Sequence, residues 1–208
     1  MDSLLLKEWD IEGKRCILAA ICDGVGSLQN GSLAAAYSVR RLSEWFEQQL
    51  VVSDIQSRLG LEIRQINTEI VELYGGATAG TASTLSALLL CPEKYYIAHV
   101  GDSRIYLYRN GNLEQLTIDQ VTELGHLKAY LGYHGEIRLI ENSGFLQAGS
   151  FLLCSDGLYK KMDLQLMQKV LKGVCRRNIH KSIHQLLDYA IAQGERDNIS
   201  VAVILLER

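Results

Sequence analysis

The order in which apolar segments change their period is the strongest constraint on this chain. "SLLLKEW" (3–9) and "RCILAAIC" (15–22) are short and apolar, and turn residues bound them, so they predict a pair of strands. The period then shifts to steps of three and four. Ala35, Val39, Leu42, Phe46 and Leu50 form one stripe, and Ile55, Leu59, Ile63, Ile66, Ile70 and Leu73 form a second. Ser53 with Gln56 reads as a capping box opening the second helix, and "YGGATAG" (74–80) ends it. Strand-like runs follow at 81–90, 94–100 and 103–116, the last folded about the hairpin signal "RNGN". Residues 117–136 read as loop plus a short helix, and 136–141 and 150–155 as strands. Asp163 caps a helix carrying Leu164, Met167, Val170 and Leu171, and a further helix carries Ile179, Ile183, Leu187 and Ile191. "NISVAVILL" (198–206) closes the chain as a strand. Strands, a helix pair, many strands, a helix pair and one strand predict a layered α+β domain. Its nearly continuous apolar strands need cover on both faces.

Composition removes several function classes. The 208 residues fit a single domain, 1–208, with one proline and no linker or internal repeat. Net charge is −3, so there is no basic footprint for nucleic acid. The longest apolar runs fall far short of the roughly 20 residues a membrane span needs. No secretory signal is visible. Five cysteines without a CxxC pair indicate a reduced compartment, and a cytoplasmic location is expected.

Four aspartates fall at strand ends. Asp23 follows "CILAAIC", Asp102 follows "YIAHVG", Asp156 follows "FLLCS", and Asp197 precedes "NISVAVILL". Gly24, Gly101 and Gly157 adjoin three of them. In a mainly antiparallel arrangement those ends can share one rim. A single Asp-Gly pair is an ordinary turn. Four on one rim would repel one another unless hard divalent cations such as Mg²⁺ or Mn²⁺ sat among them. Spacing alone leaves the turn and ligand readings both open.

The motifs "CDGVGS" (22–27), "GTAST" (80–84), "AHVGDSRIYLYRNG" (98–111), "LCSDGLY" (153–159) and "GERDNISVAVI" (194–204) resemble, in order, those of the protein phosphatase 2C family of metal-dependent Ser/Thr phosphatases. The resemblance runs from residue 2 to 206. It implies a four-layer α-β-β-α sandwich, with two mostly antiparallel sheets between helix pairs. It also implies two core Mn²⁺ or Mg²⁺ ions and a third, weaker one. Asp23 would bridge the core pair and the Gly24 carbonyl would add a ligand. Asp156 and Asp197 would hold the other core ion, and Asp102 with Asp156 the third. Asn198 would support the loop, and Ser103 and Arg104 would be structural. A hydroxide held by the two ions would attack phosphorus in line, without a covalent enzyme intermediate.

The resemblance departs at three places. Members open with a strand, a phosphate-gripping Arg and an Asn-Glu-Asp or Asn-Gln-Asp triplet. Here "MDSLLLKEW" matches only the tail, with Asp2 as its aspartate and a metal partner, and the strand and Arg before it fall outside this chain. "DGVGS" replaces the usual Asp-Gly-Met-Gly-Gly, and Val25 leaves no histidine acid after Asp-Gly. The flap between 116 and 132 is short, so it leaves substrate choice open. His99 reads as a core histidine, His126 and His134 as solvated loop residues, and Cys22 and Cys154 as buried strand cysteines.

The expected function is hydrolysis of phosphoserine and phosphothreonine in proteins, in the bacterial manner that opposes Ser/Thr kinases. Its partners would be phosphorylated proteins and a kinase or its substrates, with no nucleic acid and no membrane. The rival is a pseudophosphatase, a metal- or partner-binding module with little turnover. A metal phosphatase for small phosphoesters is a weaker third reading.

Overall fold

A computed structural model describes residues 1–207. The chain runs β1 (Ser3–Ile11), β2 (Lys14–Cys22), α1 (Gly31–Glu47), α2 (Ile55–Tyr74), β3 (Leu85–Cys91), β4 (Lys94–Val100), β5 (Arg104–Arg109) and β6 (Asn112–Gln115). It continues with β7 (Ile140–Phe145), β8 (Gly149–Cys154), a helical turn α3 (Asp156–Tyr159), α4 (Leu164–Lys172), α5 (Ile179–Ala192) and β9 (Val201–Leu206). One sheet has the order β1-β2-β3-β4-β7 and the other β6-β5-β8-β9. Every pairing within them is antiparallel.

Three apolar clusters separate four layers, as the α-β-β-α expectation requires. Strand alternation divides each strand between two clusters. In β3, Leu85, Ala87, Leu89 and Cys91 face α1 and α2, while Leu88 and Leu90 face the other sheet. In β8, Phe151 and Leu153 face the first sheet, and Leu152 and Cys154 face α4 and α5. Both faces are buried, so the strands read as unbroken apolar runs. At the sheet-sheet interface the Phe151 ring meets Tyr95 edge-on, with centroids 5.2 Å apart.

Several local expectations are corrected. The Ser53/Gln56 capping box does not form. Asp54 stands before α2 in the left-handed region (φ 53°), which turns the chain so that no side chain caps the helix. Leu50 lies beyond α1 and is exposed. No short helix forms in 117–136; that segment carries only the bridges Val121↔Leu127 and Leu131↔Ser83. The strand expected at 136–141 is β7, beginning at Ile140, because Ile137 and Leu139 pack instead against the helix-side core. In α5 the buried line is Ser182, Leu186 and Ala190, one residue off the expected stripe, and Ile191 is exposed. The hairpin at Asn110-Gly111 does form, with φ 52° and 82°, the positive pair of a type I′ turn. Asp163 caps α4, its carboxylate accepting from Gln165 N–H at 2.8 Å.

The first sheet has one strand more than the second. Leu4 and Leu6 therefore lie exposed on the intersheet side of β1, beside a groove of about 560 Å³ reaching Val203 and Leu205 of β9. Antiparallel register brings the starts of β1, β3, β5 and β9 to the same rim as the ends of β2, β4 and β8: Ser3↔Cys22, Leu85↔Val100, Arg104↔Cys154 and Cys154↔Val201.

Phe151 is 1% exposed between the sheets. Phe151→Ala should cost about 3–5 kcal/mol, because it opens a cavity that rigid strands cannot collapse. Urea unfolding of the variant against the parent measures this as a lower midpoint at unchanged slope.

Candidate active site

The loops at that rim enclose a cavity of about 140 Å³. Asp23, Gly24, Asp102, Asp156 and Asp197 all line it, together with Thr84, Lys160, Asn198 and the flap residues Gly125 and Leu127. Asp2 lies just behind, directly before β1, with its side chain 6% exposed and in contact with Asp23. All six residues singled out from the sequence thus fall in one region.

A zipper of short-range hydrogen bonds sets the first loop. Asp23 N–H donates to Thr84 Oγ1 (3.0 Å), and the Asp23 carbonyl accepts from Thr84 N–H (2.8 Å) and Ser83 Oγ (2.9 Å). Thr84 Oγ1 in turn pairs with Ser103 Oγ at 3.0 Å. "GTAST" is thus the partner that fixes Asp23, and the Ser of "GDSR" fixes Thr84. Glycines set the loop spacing at two points. Gly101 has φ +113°, and a Cβ there would sit 2.7 Å from Thr84. A Cβ on Gly157 would meet the Asn198 carbonyl oxygen at 2.3 Å, so glycine lets the Asp156 and Asp197 loops touch.

Arg104 answers for itself structurally. Its guanidinium holds Asp119 in a fork at 3.0 and 2.6 Å and donates to Tyr106 OH at 2.9 Å. It also lies 3.5 Å over the Tyr159 ring, and Tyr159 OH reaches Asp102 at 3.5 Å. His99 is a satisfied core histidine. Its ring nitrogens meet Ser86 Oγ (2.8 Å) and the Ile118 carbonyl (3.1 Å), and burial lowers its pKa to about 4. His126 and His134 are exposed, and His134 ties Thr78 to the Gly75 carbonyl. Burial pushes the Cys154 thiol up to about 12 and raises Cys22 as well, so neither is a ready nucleophile.

The electrostatics of the rim favour cations. Burial, then the charges of Asp2 and Asp156, push Asp23 up to about 9. Burial, then Asp156, push Asp102 up to about 6. Asp2 Oδ2 and Asp156 Oδ1 are buried without any hydrogen-bond partner. Among the described residues, no three His, Cys, Asp or Glu side chains converge to hold an ion by themselves. That pattern fits Mg²⁺-like coordination, in which one or two carboxylates and a carbonyl are completed by water. Unpaired carboxylate oxygens and the absence of soft ligands make the donor set suitable for Mg²⁺ or Mn²⁺.

Sequence reasoning misses two residues here, and it quotes Thr84 only within "GTAST", without its bond to Asp23. Lys160 stands four residues after Asp156, the spacing of a helical pair, and its ammonium donates to Asp156 Oδ2. Gln120 clamps the Asp102 turn. Its N–H donates to the Gly101 carbonyl (2.8 Å), its Oε1 accepts from Gly101 N–H (2.7 Å), and its Nε2 donates to the Arg138 carbonyl (2.7 Å).

Comparison with known proteins agrees with this geometry. The sequence pattern of the Protein phosphatase 2C family matches residues 2–189. The serine/threonine phosphatase stp of Listeria welshimeri is 32% identical over 217 residues, covering 92% of this chain and 84% of that protein. The serine/threonine protein phosphatase PstP of Mycobacterium tuberculosis is 28% identical, covering 89% of this chain and 40% of its own length. Among solved structures, the serine/threonine phosphatase Stp1 of Staphylococcus aureus superposes with a TM-score of 0.88 at 21% identity, covering 100% of this chain and 89% of that one. That likeness speaks for the fold. With the family's pattern matched along most of its length, the chain belongs to the protein phosphatase 2C family.

Proposed function

We propose that this chain is a metal-dependent protein phosphatase that hydrolyses phosphoserine and phosphothreonine directly, as one catalytic domain. The observation that carries the reading is the cavity itself: four aspartates line it, with a fifth behind, and buried carboxylate oxygens are left unpartnered. Asp23, the Gly24 carbonyl, Asp156 and Asp197 would hold two Mn²⁺ or Mg²⁺ ions, with Asp2 supporting Asp23, and Asp102 with Asp156 would hold a third. Bound there, the core ions supply an acidified water and positive charge against the phosphoryl oxygens. The protein's part is positioning. The Thr84–Ser103 zipper and the Gly157–Asn198 contact keep the carboxylates together around the cavity. Gly125 and Leu127 close one side. The substrates proposed are phosphorylated proteins, in keeping with the serine/threonine phosphatases named above, and a Ser/Thr kinase is the natural opponent. No helix among the described residues is long and apolar enough to cross a membrane. A cytoplasmic site of action is part of the same proposal.

Turnover of a phosphothreonine peptide should saturate with Mn²⁺. Asp23→Asn and Asp156→Asn should each lower it by about 100-fold or more while the fold is kept. Wild-type turnover by both variants would overturn the ligand assignment. Mn²⁺ binding by the parent without turnover would favour the pseudophosphatase reading.

The metal-free protein should respond to pH against the usual carboxylate trend. Asp23 is pushed up from 3.8 to about 9, so the folded chain keeps a proton that the unfolded chain releases. That stability is complete below about pH 3.8 and is lost as the pH rises toward 9. In EDTA the thermal midpoint should therefore fall between pH 5 and 9, and Mn²⁺ should reverse the fall. Asp23→Asn should flatten it and raise the midpoint at pH 8 by about 3 °C, the order expected for ~1 kcal/mol in a chain of this length. A midpoint in EDTA that rises over this range would contradict the carboxylate crowding.

A further inference from the structure

We propose that Lys160 binds the phosphoryl group of the substrate. The proposal rests on the phosphatase reading above. Lys160 carries the only cationic side chain among the residues lining the cavity. Its position is fixed by its neighbours, since Leu158 and Met162 on either side are buried in the α4–α5 core. Its ammonium donates to Asp156 Oδ2 and makes no other hydrogen bond among the described residues. An ammonium has three N–H donors, so two remain for another acceptor.

The two oxygens of Asp156 divide the work. Oδ1 is buried and unpartnered, while Oδ2 carries the lysine. Ligation of a cation through Oδ1 therefore leaves the lysine pair in place. The Lys160 side chain is 55% exposed and that of Asp156 is 13% exposed, so the ammonium stands at the mouth of the cavity and the carboxylate within it. An exposed lysine pairing four residues back is usually a surface ion pair worth little. This one pairs with a nearly buried cavity carboxylate.

Charge balance says what the ammonium is for. Asp23, Asp102, Asp156 and Asp197 surround the cavity with carboxylates, and Asp2 adds a fifth behind them. A phosphoryl dianion entering that space still needs a positive partner, and Lys160 is the side chain placed to provide it. As a compact point charge on a long stem it can follow the phosphoryl oxygens without the fixed fork an arginine would impose.

Lys160→Gln and Lys160→Ala test the assignment, with Lys160→Arg as the charge-keeping control. Two readouts are needed. One is steady-state hydrolysis of a phosphothreonine peptide at saturating Mn²⁺. The other is calorimetric titration of the Mn²⁺-loaded protein with inorganic phosphate, which needs no turnover. Both neutral variants should raise KM and weaken phosphate binding about 10-fold, the loss of one charge-assisted hydrogen bond, with kcat changed less and the arginine variant close to the parent. Mn²⁺ affinity should be unchanged or tighter. Parental KM and phosphate affinity in two folded neutral variants would overturn the proposal and leave Lys160 a counter-ion of Asp156, while turnover by the parent would keep the phosphatase reading intact. Lysine-dependent phosphate binding without turnover would do the reverse, sustaining the site and sinking the enzyme reading. Melting curves by circular dichroism establish that each variant is folded.

Discussion

Repulsion among carboxylates at one rim is the constraint to which the rest of this structure is fitted. Asp2, Asp23 and Asp156 lie close enough for burial and mutual charge to hold Asp23 near a pKa of 9. Left to itself, such a cluster would spread apart or protonate. It is held because Asp23 and Asp156 sit at the ends of β2 and β8, whose two faces are packed in separate apolar cores, while Asp2 directly precedes β1, paired to β2. Strand ends in a close-packed sandwich move little, so the packing of some fifty buried apolar residues opposes the repulsion of a few charges. Divalent cations bound there would turn the same repulsion into coordination.

The arginine of "GDSR" shows how the rim is braced. An arginine beside a carboxylate cluster invites the reading that it neutralises the cluster. It faces Asp119 instead, in a fork, and stacks on Tyr159. Its role is to join β5, the segment after β6 and α3, three pieces that meet beneath the cavity. Gln120, the residue after Asp119, then carries that brace to Gly101. The turn bearing Asp102 is thus held from Thr84 on one side and from Gln120 on the other.

What was legible in the sequence follows from the range of the forces involved. The layers were legible because double burial leaves unbroken apolar strands and one-sided burial leaves helical stripes. The aspartates were legible because the apolar runs mark the strand ends near which they stand, although the contacts from Thr84 and Gln120 that hold Asp23 and the Asp102 turn were not. The 117–136 segment was not legible, since its shape comes from bridges to Ser83 and from the amide of Gln120 rather than from any local period. The capping box at Ser53 failed for a similar reason. Asp54 adopts a left-handed turn, and the Val52 N–H before it pairs with Glu12 of the β1–β2 turn at 3.1 Å, a contact no local pattern records. Lys160 was readable in principle, four residues from Asp156, but nothing in the sequence says that the pair faces a cavity.

Asp156 is the residue on which the separate parts converge. Its charge raises both Asp23 and Asp102, although these two otherwise answer to different neighbours. Asp23 feels Asp2, while Asp102 feels Lys160 and Asp119. The site therefore has a crowded half, where carboxylates press on each other, and a relieved half, where a lysine offsets them. A cation gains most where crowding is greatest, and this orders the positions physically. On the proposed ligand assignment, a cation beside Asp23 would relieve more carboxylate repulsion than one beside Asp102, where an ammonium already offsets part of the charge. The difference follows from which charges each carboxylate faces: Asp2 and Asp156 beside Asp23, and Asp156 offset by Lys160 beside Asp102.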